Sequence, residues 1–418
     1  MRKKYSLIFI ILVFILTGCS EKNIETKYFE DATYLVKTVE ENHPFFIKGE
    51  NLSKYEKIKN EFLKESKKIN NLEDFKYAIK KYIAVLGDAH MSLNFVENSL
   101  GLVNKWRYTN EGLFLLDENN NITDIKVLEI AGVPVDKILQ TVDKYYAYEN
   151  KAAQFENYSL YTGEGKVIEL AGGEIIDDQI KVKTSNKDNS EIEFPLFMID
   201  WFEEITKNSN YTIKTKMLDD IIYIDFRSFT VNSELEKALY FTREQVNNGV
   251  NKVIIDLRHN GGGNSEAGRF LLEAMDMAPP SYGSLVRLGP LYTEKAENIK
   301  RAEGFIEYKA NLSDSIKNSS INLVVLTSIE TFSSATMFGV WVQDGQLGTI
   351  IGQASKNAPN AYGDMLIFDL PNTKLSLEVS YKYFIRPDEN NSKDTLKPDI
   401  LVPFEEDSLD VAINFLNK

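Results

Sequence analysis

The segment VNKVIIDLRHNGGGNSEAGR, residues 250–269, decides the fold of this chain. It begins with an apolar run that is typical of a buried strand, turns at three consecutive glycines and continues as a helix. The glycines require either a tight turn or a very close approach of the backbone to another group. Neither GxxxxGK(S/T) nor GxGxxG occurs here, which excludes a standard phosphate-binding loop. Bare backbone N–H groups at such a turn would instead suit a developing negative charge, as in an oxyanion hole.

Strands and helices alternate on both sides of this segment, over residues 209–418. YTIKTKMLDDIIYIDFRSF predicts a hairpin, SELEKALYFTREQVNNG a helix, INLVVLTS a buried strand and SATMFGVWVQDG another helix. This alternation predicts a largely parallel sheet that is covered on its faces. Because ligands bind at the carboxyl ends of such strands, DLRHNGGG and TSIETFSSAT are expected to lie together there.

The remaining chain divides into three parts. Residues 1–19 are predicted to be a signal peptide. In residues 20–94 apolar residues recur at spacings of three and four, which predicts a helical region. Residues 95–208 contain the short runs GLFLLD, KVLEIAG, KVIELAG and QIKVKTS between turn residues, and these predict a β-rich domain.

The N-terminus, MRKKYSLIFIILVFILTGCS, has a cationic start and an apolar run over residues 7–16. Ten helical residues span about 15 Å, roughly half of a bilayer core, which predicts an export signal. The run ends in Leu16-Thr17-Gly18-Cys19, which resembles the lipobox of bacterial lipoproteins. Cys19 is the only cysteine. We therefore expect an extracytoplasmic protein anchored to the cell membrane through lipidated Cys19; the alternative is a plain secretory signal.

Composition excludes several classes of function. Asp and Glu outnumber Lys and Arg by 62 to 48, and the formal charge of -14 opposes binding to nucleic acid. One cysteine and three scattered histidines lack the spacing of a metal site. No metal and no cofactor is therefore predicted.

Candidate catalytic residues follow from chemistry. Ser333 and Ser334 stand where a helix begins, so the helix dipole would favour an oxyanion beside them. A base must be one of the three histidines, His43, His90 and His259. Taken singly, each of these residues also has an ordinary structural interpretation as a helix cap, a core histidine or a turn residue.

Three segments in order, GDAHMSL, IDLRHNGGG and LTSIETFSSATMFGVWVQD, resemble peptidase family S41, which includes carboxyl-terminal processing proteases and the tricorn core. The resemblance extends from about residue 29 to the end, through GQASKNAPNAYGD and LKPDILVPF. It implies an α/β fold with a crotonase-like (ClpP/crotonase-type) catalytic core, an N-terminal helical region and a β-rich, PDZ-like middle domain. ITDIKVLEIAGVPVDKIL is similar to the PDZ phrase of strand, glycine turn and short helix.

The resemblance also implies roles. Ser333 aligns with the nucleophile, and the backbone N–H groups of Ser334 and of Gly261 or Gly262 align with the oxyanion hole. Losing one such donor costs about 3 kcal/mol of transition-state stabilisation. His90 matches the base of the tricorn-type site, although Ala89 replaces the serine that precedes it there.

A lysine serves as the base in processing proteases of the family. Here Ala358 occupies the lysine position and Lys356 is displaced by two residues, about 6.6 Å along an extended chain. A histidine with an ordinary pKa of ~6.5 is mostly neutral at pH 7 and can accept a proton. We therefore expect His90 to be the base.

The group that orients His90 is less clear from the family pattern. Asp394 falls near the family's glutamate and is the first choice, and Asp88 and Glu378 remain alternatives. Asp344 is expected to be structural and paired with Arg258.

Together these features predict a membrane-tethered serine endopeptidase that acts through a Ser–His acyl-enzyme mechanism on an extended peptide or protein substrate. The alternative is a catalytically inactive S41-fold peptide-binding lipoprotein, which Ala89 and Thr336 favour because family members carry other residues there. An acyl-CoA enzyme of the crotonase type fits poorly with export.

Overall fold

The computed structural model describes residues 22–49, 51–93, 98–186, 190–201, 209–295 and 304–418. The predicted signal peptide, residues 1–19 with Cys19, lies outside these residues. Within the described ranges, no helix is both long enough and apolar enough to cross a membrane.

The chain forms helices and strands in all three predicted regions. The helices are α1 (Lys22–Asn42), α2 (Phe45–Lys48), α3 (Leu52–Ser66), α4 (Leu72–Ala84), α5 (Val135–Tyr145), α6 (Lys151–Tyr161), α7 (Gly165–Leu170), α8 (Ser233–Asn247), α9 (Glu266–Glu273), α10 (Pro290–Lys295), α11 (Ser334–Asp344) and α12 (Ser408–Leu416), with a 3₁₀ turn at Leu312–Asp314. The strands are β1 (Asn98–Gly101), β2 (Trp106–Thr109), β3 (Gly112–Leu116), β4 (Ile122–Ile130), β5 (Val133–Pro134), β6 (Gln179–Thr184), β7 (Glu191–Pro195), β8 (Phe197–Asp200), β9 (Ile213–Leu218), β10 (Ile221–Phe226), β11 (Lys252–Asp256), β12 (Gly283–Arg287), β13 (Phe305–Tyr308), β14 (Asn322–Thr327), β15 (Thr349–Gly352), β16 (Tyr362–Asp369), β17 (Ser376–Ile385) and β18 (Ile400–Leu401).

A six-stranded sheet forms the core, in the order β18-β15-β14-β11-β10-β9. Its strands are parallel except β9, which pairs antiparallel with β10 as the predicted hairpin. This confirms the largely parallel sheet. Because β11 and β14 are neighbours, the glycine turn and the serine loop that follow them lie at the same edge of the sheet.

Side-chain alternation along the strands covers both faces of this sheet. Val253 and Ile255 of β11 pack in the same cluster as Leu235 of α8 and Phe338 of α11. Ile254 points the other way, into a smaller cluster that includes α12. The uninterrupted apolar runs in the sequence are therefore explained by burial on both faces.

A second, antiparallel sheet in the order β13-β12-β17-β16 carries the N-terminal helices. Buried residues of α1, α3 and α4 share one core cluster with Leu366 and Phe368 of β16 and Leu377 of β17. The predicted helical character of the N-terminal region is confirmed. Its helices, however, share a core with the C-terminal part of the chain instead of standing apart, and the sequence pattern did not indicate this.

The middle region has its own core beneath a sheet in the order β2-β3-β4-β6-β7. The predicted strands GLFLLD, KVLEIAG and QIKVKTS correspond to β3, β4 and β6. KVIELAG is wrong as a strand, because it forms the helix α7. Val167, Ile168 and Ala171 are all buried, and their spacing of one and three residues places them on one helical face.

The predicted pairing of Asp344 with Arg258 is also wrong. Asp344 lies fully buried against Arg386, whose Nε is 3.2 Å from Asp344 Oδ2. Arg258 instead binds Asp256 and Asp407. Asp344 remains structural, since leaving Arg386 without this partner would bury an unpaired charge.

Candidate active site

Ser333 lies in a strained backbone conformation between β14 and α11. Its φ of 51° and ψ of -124° fall in a region of backbone conformation that residues other than glycine rarely adopt. This conformation costs about 1–3 kcal/mol. Two hydrogen bonds hold the loop: Ser333 N–H donates to Asn357 Oδ1 at 2.8 Å, and Phe332 N–H donates to the carbonyl of Asn260 at 3.0 Å.

Ser334 is the first residue of α11, so its N–H has no acceptor within the helix. Its hydroxyl donates to the carbonyl of Gly263 at 2.6 Å, which ties the start of the helix to the glycine turn. Among the described residues, no acceptor is present for the N–H of Ser334. This N–H and the dipole of α11 are therefore available to a negatively charged oxygen.

The glycine turn packs directly against Ser333. A Cβ added to Gly262, whose φ is 103°, would lie 2.6 Å from the Cβ of Ser333 and 3.0 Å from the nitrogen of Ser334. The Gly262 N–H already donates to Asn260 Oδ1 at 2.8 Å. Gly261 has free space around it, and its N–H has no acceptor in the part of the chain that the structure describes. Of the two predicted oxyanion donors, Gly261 has the available N–H and Gly262 makes room for the nucleophile.

His90 packs against Phe332, the residue before Ser333. The centroids of the His90 and Phe332 rings are 4.6 Å apart. The His90 side chain is only 7% exposed, and burial lowers its pKa against the opposing charges of Asp88 and Asp364. The imidazole is therefore neutral at pH 7 and able to accept a proton.

His90 Nδ1 faces two carboxyl groups. Asp88 Oδ1 lies 3.8 Å away and Glu149 Oε1 3.9 Å away. The nitrogen is buried and makes no hydrogen bond. This leaves Nε2 as the ring nitrogen for the predicted nucleophile, Ser333.

Asp88 anchors the loop that carries His90. Its Oδ1 accepts the backbone N–H of His90 at 2.8 Å, and its Oδ2 lies 3.0 Å from His43 Nε2. Because Phe45 N–H donates to His43 Nδ1, the proton of His43 is on Nε2 and points to Asp88. Burial opposes ionisation of Asp88, but His43 and His90 hold its pKa below the usual value. His43 thus stabilises the His90 loop from a buried position directly after the end of α1.

Glu149 is the site residue that the sequence did not reveal. It lies between α5 and α6 in the middle region, with its side chain 4% exposed. Burial, reinforced by the charge of Asp88, raises its pKa to about 8, although hydrogen bonds from Ala358, Asn357 and Ala89 oppose the shift. A single glutamate in KYYAYENK carries no pattern that separates it from a surface residue.

Asn357 connects Glu149 to Ser333. Its Oδ1 accepts the Ser333 N–H, and its Nδ2 donates to Glu149 Oε2, which also accepts the Ala358 N–H at 2.9 Å. Backbone and side-chain contacts thus join the serine loop, the loop after β15 and the middle region around one amide.

The structure does not bring the carboxylate of Asp394 to His90. Asp394 is exposed, and its backbone carbonyl accepts a hydrogen bond from Asn150. Glu378 contacts Ser92 at 3.3 Å instead. The carboxyl groups within 4 Å of His90 Nδ1 are Asp88 and Glu149, so Asp394 as the orienting group is replaced by these.

Two other candidates for the base lie near the serine loop. Lys356 Nζ is 5.7 Å from the centre of the Phe332 ring. His259 Nδ1 is 2.7 Å from Glu330 Oε2, and the His259 side chain is 48% exposed. His259 is engaged with its own partner at the surface, which agrees with the choice of His90 as the base.

One cluster in the site has the composition of a metal-binding group. Among the described residues, one ligand atom from each of Asp88, His90 and Glu149 lies within 4.8 Å of the other two. The sequence, in which Glu149 is 59 positions from His90, did not indicate this cluster.

Comparison with known proteins supports the predicted resemblance. Residues 220–402 match the model of peptidase family S41. The fold is similar to the crystal structure of mature CPAF, with a TM-score of 0.62, 14% sequence identity and coverage of 95% of this chain and 96% of that one. Mature CPAF complexed with lactacystin gives a TM-score of 0.61 at 14% identity, covering 94% and 97%. A search of curated sequences gives no match.

Gly262→Ala should disable Ser333, because the added methyl would collide with the Cβ of the serine. We expect the rate of labelling by a fluorophosphonate serine probe to fall by about 10²-fold, as for a misplaced reacting group. Gly261→Ala, which adds a methyl into open space and keeps its N–H, should have a much smaller effect. Equal losses in both variants, with unchanged thermal unfolding, would contradict this steric role.

Proposed function

We propose that the chain, of which residues 220–402 match the model of peptidase family S41, is a serine endopeptidase in which Ser333 is the nucleophile and His90 the general base. The family indicates a serine-type peptidase. The observation that carries the mechanism is the packing of His90, with its Nδ1 directed at two carboxyl groups, against the residue that precedes Ser333.

The reaction follows the acyl-transfer scheme. His90 Nε2 takes the proton of Ser333 Oγ as this oxygen attacks the scissile carbonyl, and the carbonyl oxygen gains the negative charge. The N–H groups of Gly261 and Ser334 donate to that oxyanion. His90 returns the proton to the leaving amine, and water then releases the acyl group with His90 again as the base.

Glu149 is the positioning residue for His90 in this mechanism. An oxygen of Glu149 beside Nδ1 positions the ring, and above the raised pKa of about 8 the ionised carboxylate favours the imidazolium that forms during attack. The hydrogen bonds that Glu149 accepts from Asn357 and Ala358 hold its other oxygen in place. Ala89 contributes its backbone N–H to Glu149 Oε1 at 3.4 Å, so a serine is not needed at this position to organise the site.

The inactive alternative is not favoured by the family match. Thr336, one of the residues that suggested it, is buried and donates its hydroxyl to the carbonyl of Thr331. It therefore serves the serine loop structurally, and its identity says little about catalysis.

The middle region offers the substrate a second point of attachment. A cavity of about 370 Å³ lies between β3, β4 and the start of α5, lined in part by Tyr108, Lys126, Pro134 and Asp136. Mixed apolar and charged lining suits a peptide segment. An extended peptide held here, with its scissile bond at Ser333, fits the PDZ-like role proposed for this region within a crotonase-like enzyme.

The nucleophile is tested with a fluorophosphonate probe and a peptide-hydrolysis assay. We expect labelling and hydrolysis in the wild type and neither in Ser333→Ala; His90→Ala should lower both by about 10²–10⁴-fold, the usual contribution of a general base. His259→Ala is the matched control and should remain active. Full hydrolysis by Ser333→Ala would refute the assignment.

The role of Glu149 is tested by comparing Glu149→Gln with Asp394→Asn. Above pH 8, where Glu149 is ionised, Glu149→Gln should lower kcat by about 10²-fold or more, because the neutral amide does not stabilise the imidazolium, with little change in KM. Asp394→Asn should behave as the wild type. The opposite ranking, with both proteins folded by thermal unfolding, would restore Asp394 as the orienting group.

Membrane attachment through Cys19 rests on the lipobox resemblance. Cells fed labelled palmitate should incorporate it into the wild-type protein and not into Cys19→Ala, and the variant should leave the membrane fraction, since a lipid chain supplies the anchor. Unchanged membrane association without label would instead indicate a different attachment.

A further inference from the structure

We propose that Asp88, His90 and Glu149 form a binding site for a divalent transition metal ion, of which Zn²⁺ is the representative, and that binding there switches the peptidase off. The inhibitory consequence rests on the proposed function of His90. The binding itself does not, and it can be measured on a protein without activity.

The first argument is the unsatisfied nitrogen. His90 Nδ1 is buried, with 9% of the residue exposed, and it makes no hydrogen bond. It faces Asp88 Oδ1 at 3.8 Å and Glu149 Oε1 at 3.9 Å. Ligands of a tetrahedral Zn²⁺ with bonds of about 2.0–2.1 Å stand roughly 3.3 Å apart. The two pairs with His90 therefore need to close by about half an ångström, and the two carboxyl oxygens, which lie within 4.8 Å of each other, by at most about 1.5 Å.

The second argument is that the carboxyl groups are already oriented by other residues. Asp88 Oδ2 is held by His43, and Glu149 Oε2 is held by Asn357 and Ala358. One oxygen of each group is thus held away from His90 Nδ1. The other, Asp88 Oδ1 or Glu149 Oε1, accepts a backbone N–H from His90 or Ala89 and lies within 4 Å of His90 Nδ1. Such outer contacts are what metal sites use to set the geometry of their ligands.

The donor set selects the kind of metal. One imidazole nitrogen and two carboxyl oxygens suit Zn²⁺ and related transition ions, whereas Mg²⁺ and Ca²⁺ prefer oxygen ligands throughout. A fourth position would be left for water. The buried location of all three side chains disfavours a large hydrated ion.

Binding at Nδ1 has a direct chemical consequence. A neutral imidazole that coordinates a metal through Nδ1 carries its proton on Nε2. That nitrogen is then a donor and cannot take the proton of Ser333. The positive charge of the ion further disfavours an imidazolium, so the site switches off the base without touching the nucleophile.

The decisive measurement is calorimetric titration of Zn²⁺ into the Ser333→Ala protein. We expect one ion per chain. In the Ser333→Ala background, His90→Ala and Glu149→Gln should each weaken Zn²⁺ binding by at least about 10- to 100-fold. That is the usual effect of removing a residue that only supports a metal ligand. His259→Ala removes a histidine that contacts a carboxylate outside the cluster, Glu330, and should leave binding unchanged. Mg²⁺ and Ca²⁺ should give no heat of binding.

Activity supplies the second readout. Zn²⁺ should inhibit peptide hydrolysis by the wild-type protein over the same concentrations, and EDTA should restore it.

Binding that survives His90→Ala but is lost in His259→Ala would overturn the site, and stoichiometric binding without inhibition would overturn the switch. Because unfolding would also abolish binding, His90→Gln and a thermal-unfolding curve accompany each titration. Hydrolysis that persists in Ser333→Ala would refute the proposed function while leaving the binding result intact.

Discussion

The side-chain amide of Asn357 is the interaction on which the arrangement of the site depends. With its oxygen it accepts the N–H of Ser333, whose backbone is strained, and with its nitrogen it donates to Glu149. The two ends of one planar group thereby join Ser333 to the carboxyl group of Glu149, beside His90. A strained backbone persists only where surrounding contacts compensate for it, and this amide is one of those contacts.

Glycine at position 262 has a steric reason that the sequence suggested only in general form. Its positive φ and the nearness of Ser333 leave no room for a side chain, while the N–H that could have bound an oxyanion is occupied by Asn260. Gly261, with open space around it, has the N–H that remains available. Neighbouring glycines in one turn thus have separate functions, one in packing and one in hydrogen bonding.

Much of the fold could be predicted because apolar patterning reports burial. The strands β11 and β14, the helices α8 and α11 and the meeting of the glycine turn with the serine loop all follow from periodicity and from the geometry of parallel sheets. The helix α7 was mistaken for a strand because its run of six residues is too short for periodicity to distinguish the two. Glu149 could not be found, since its role comes from tertiary burial and not from local pattern. The prediction of Asp394 as the orienting group relies on its position in the sequence. Only the folded structure shows that its carboxylate does not contact the imidazole of His90.

The residues of the site are far apart in the sequence, and this separation determines when the site can assemble during biosynthesis. Glu149 and Asn357, which form a direct hydrogen bond, are 208 positions apart, and the His90 loop lies farther still from the serine. Contacts between such distant positions form late in folding, because long loops must close first. A partly synthesised chain therefore lacks the contacts that hold Ser333, Asn357 and Glu149 together, and the site forms only after the C-terminal half has folded.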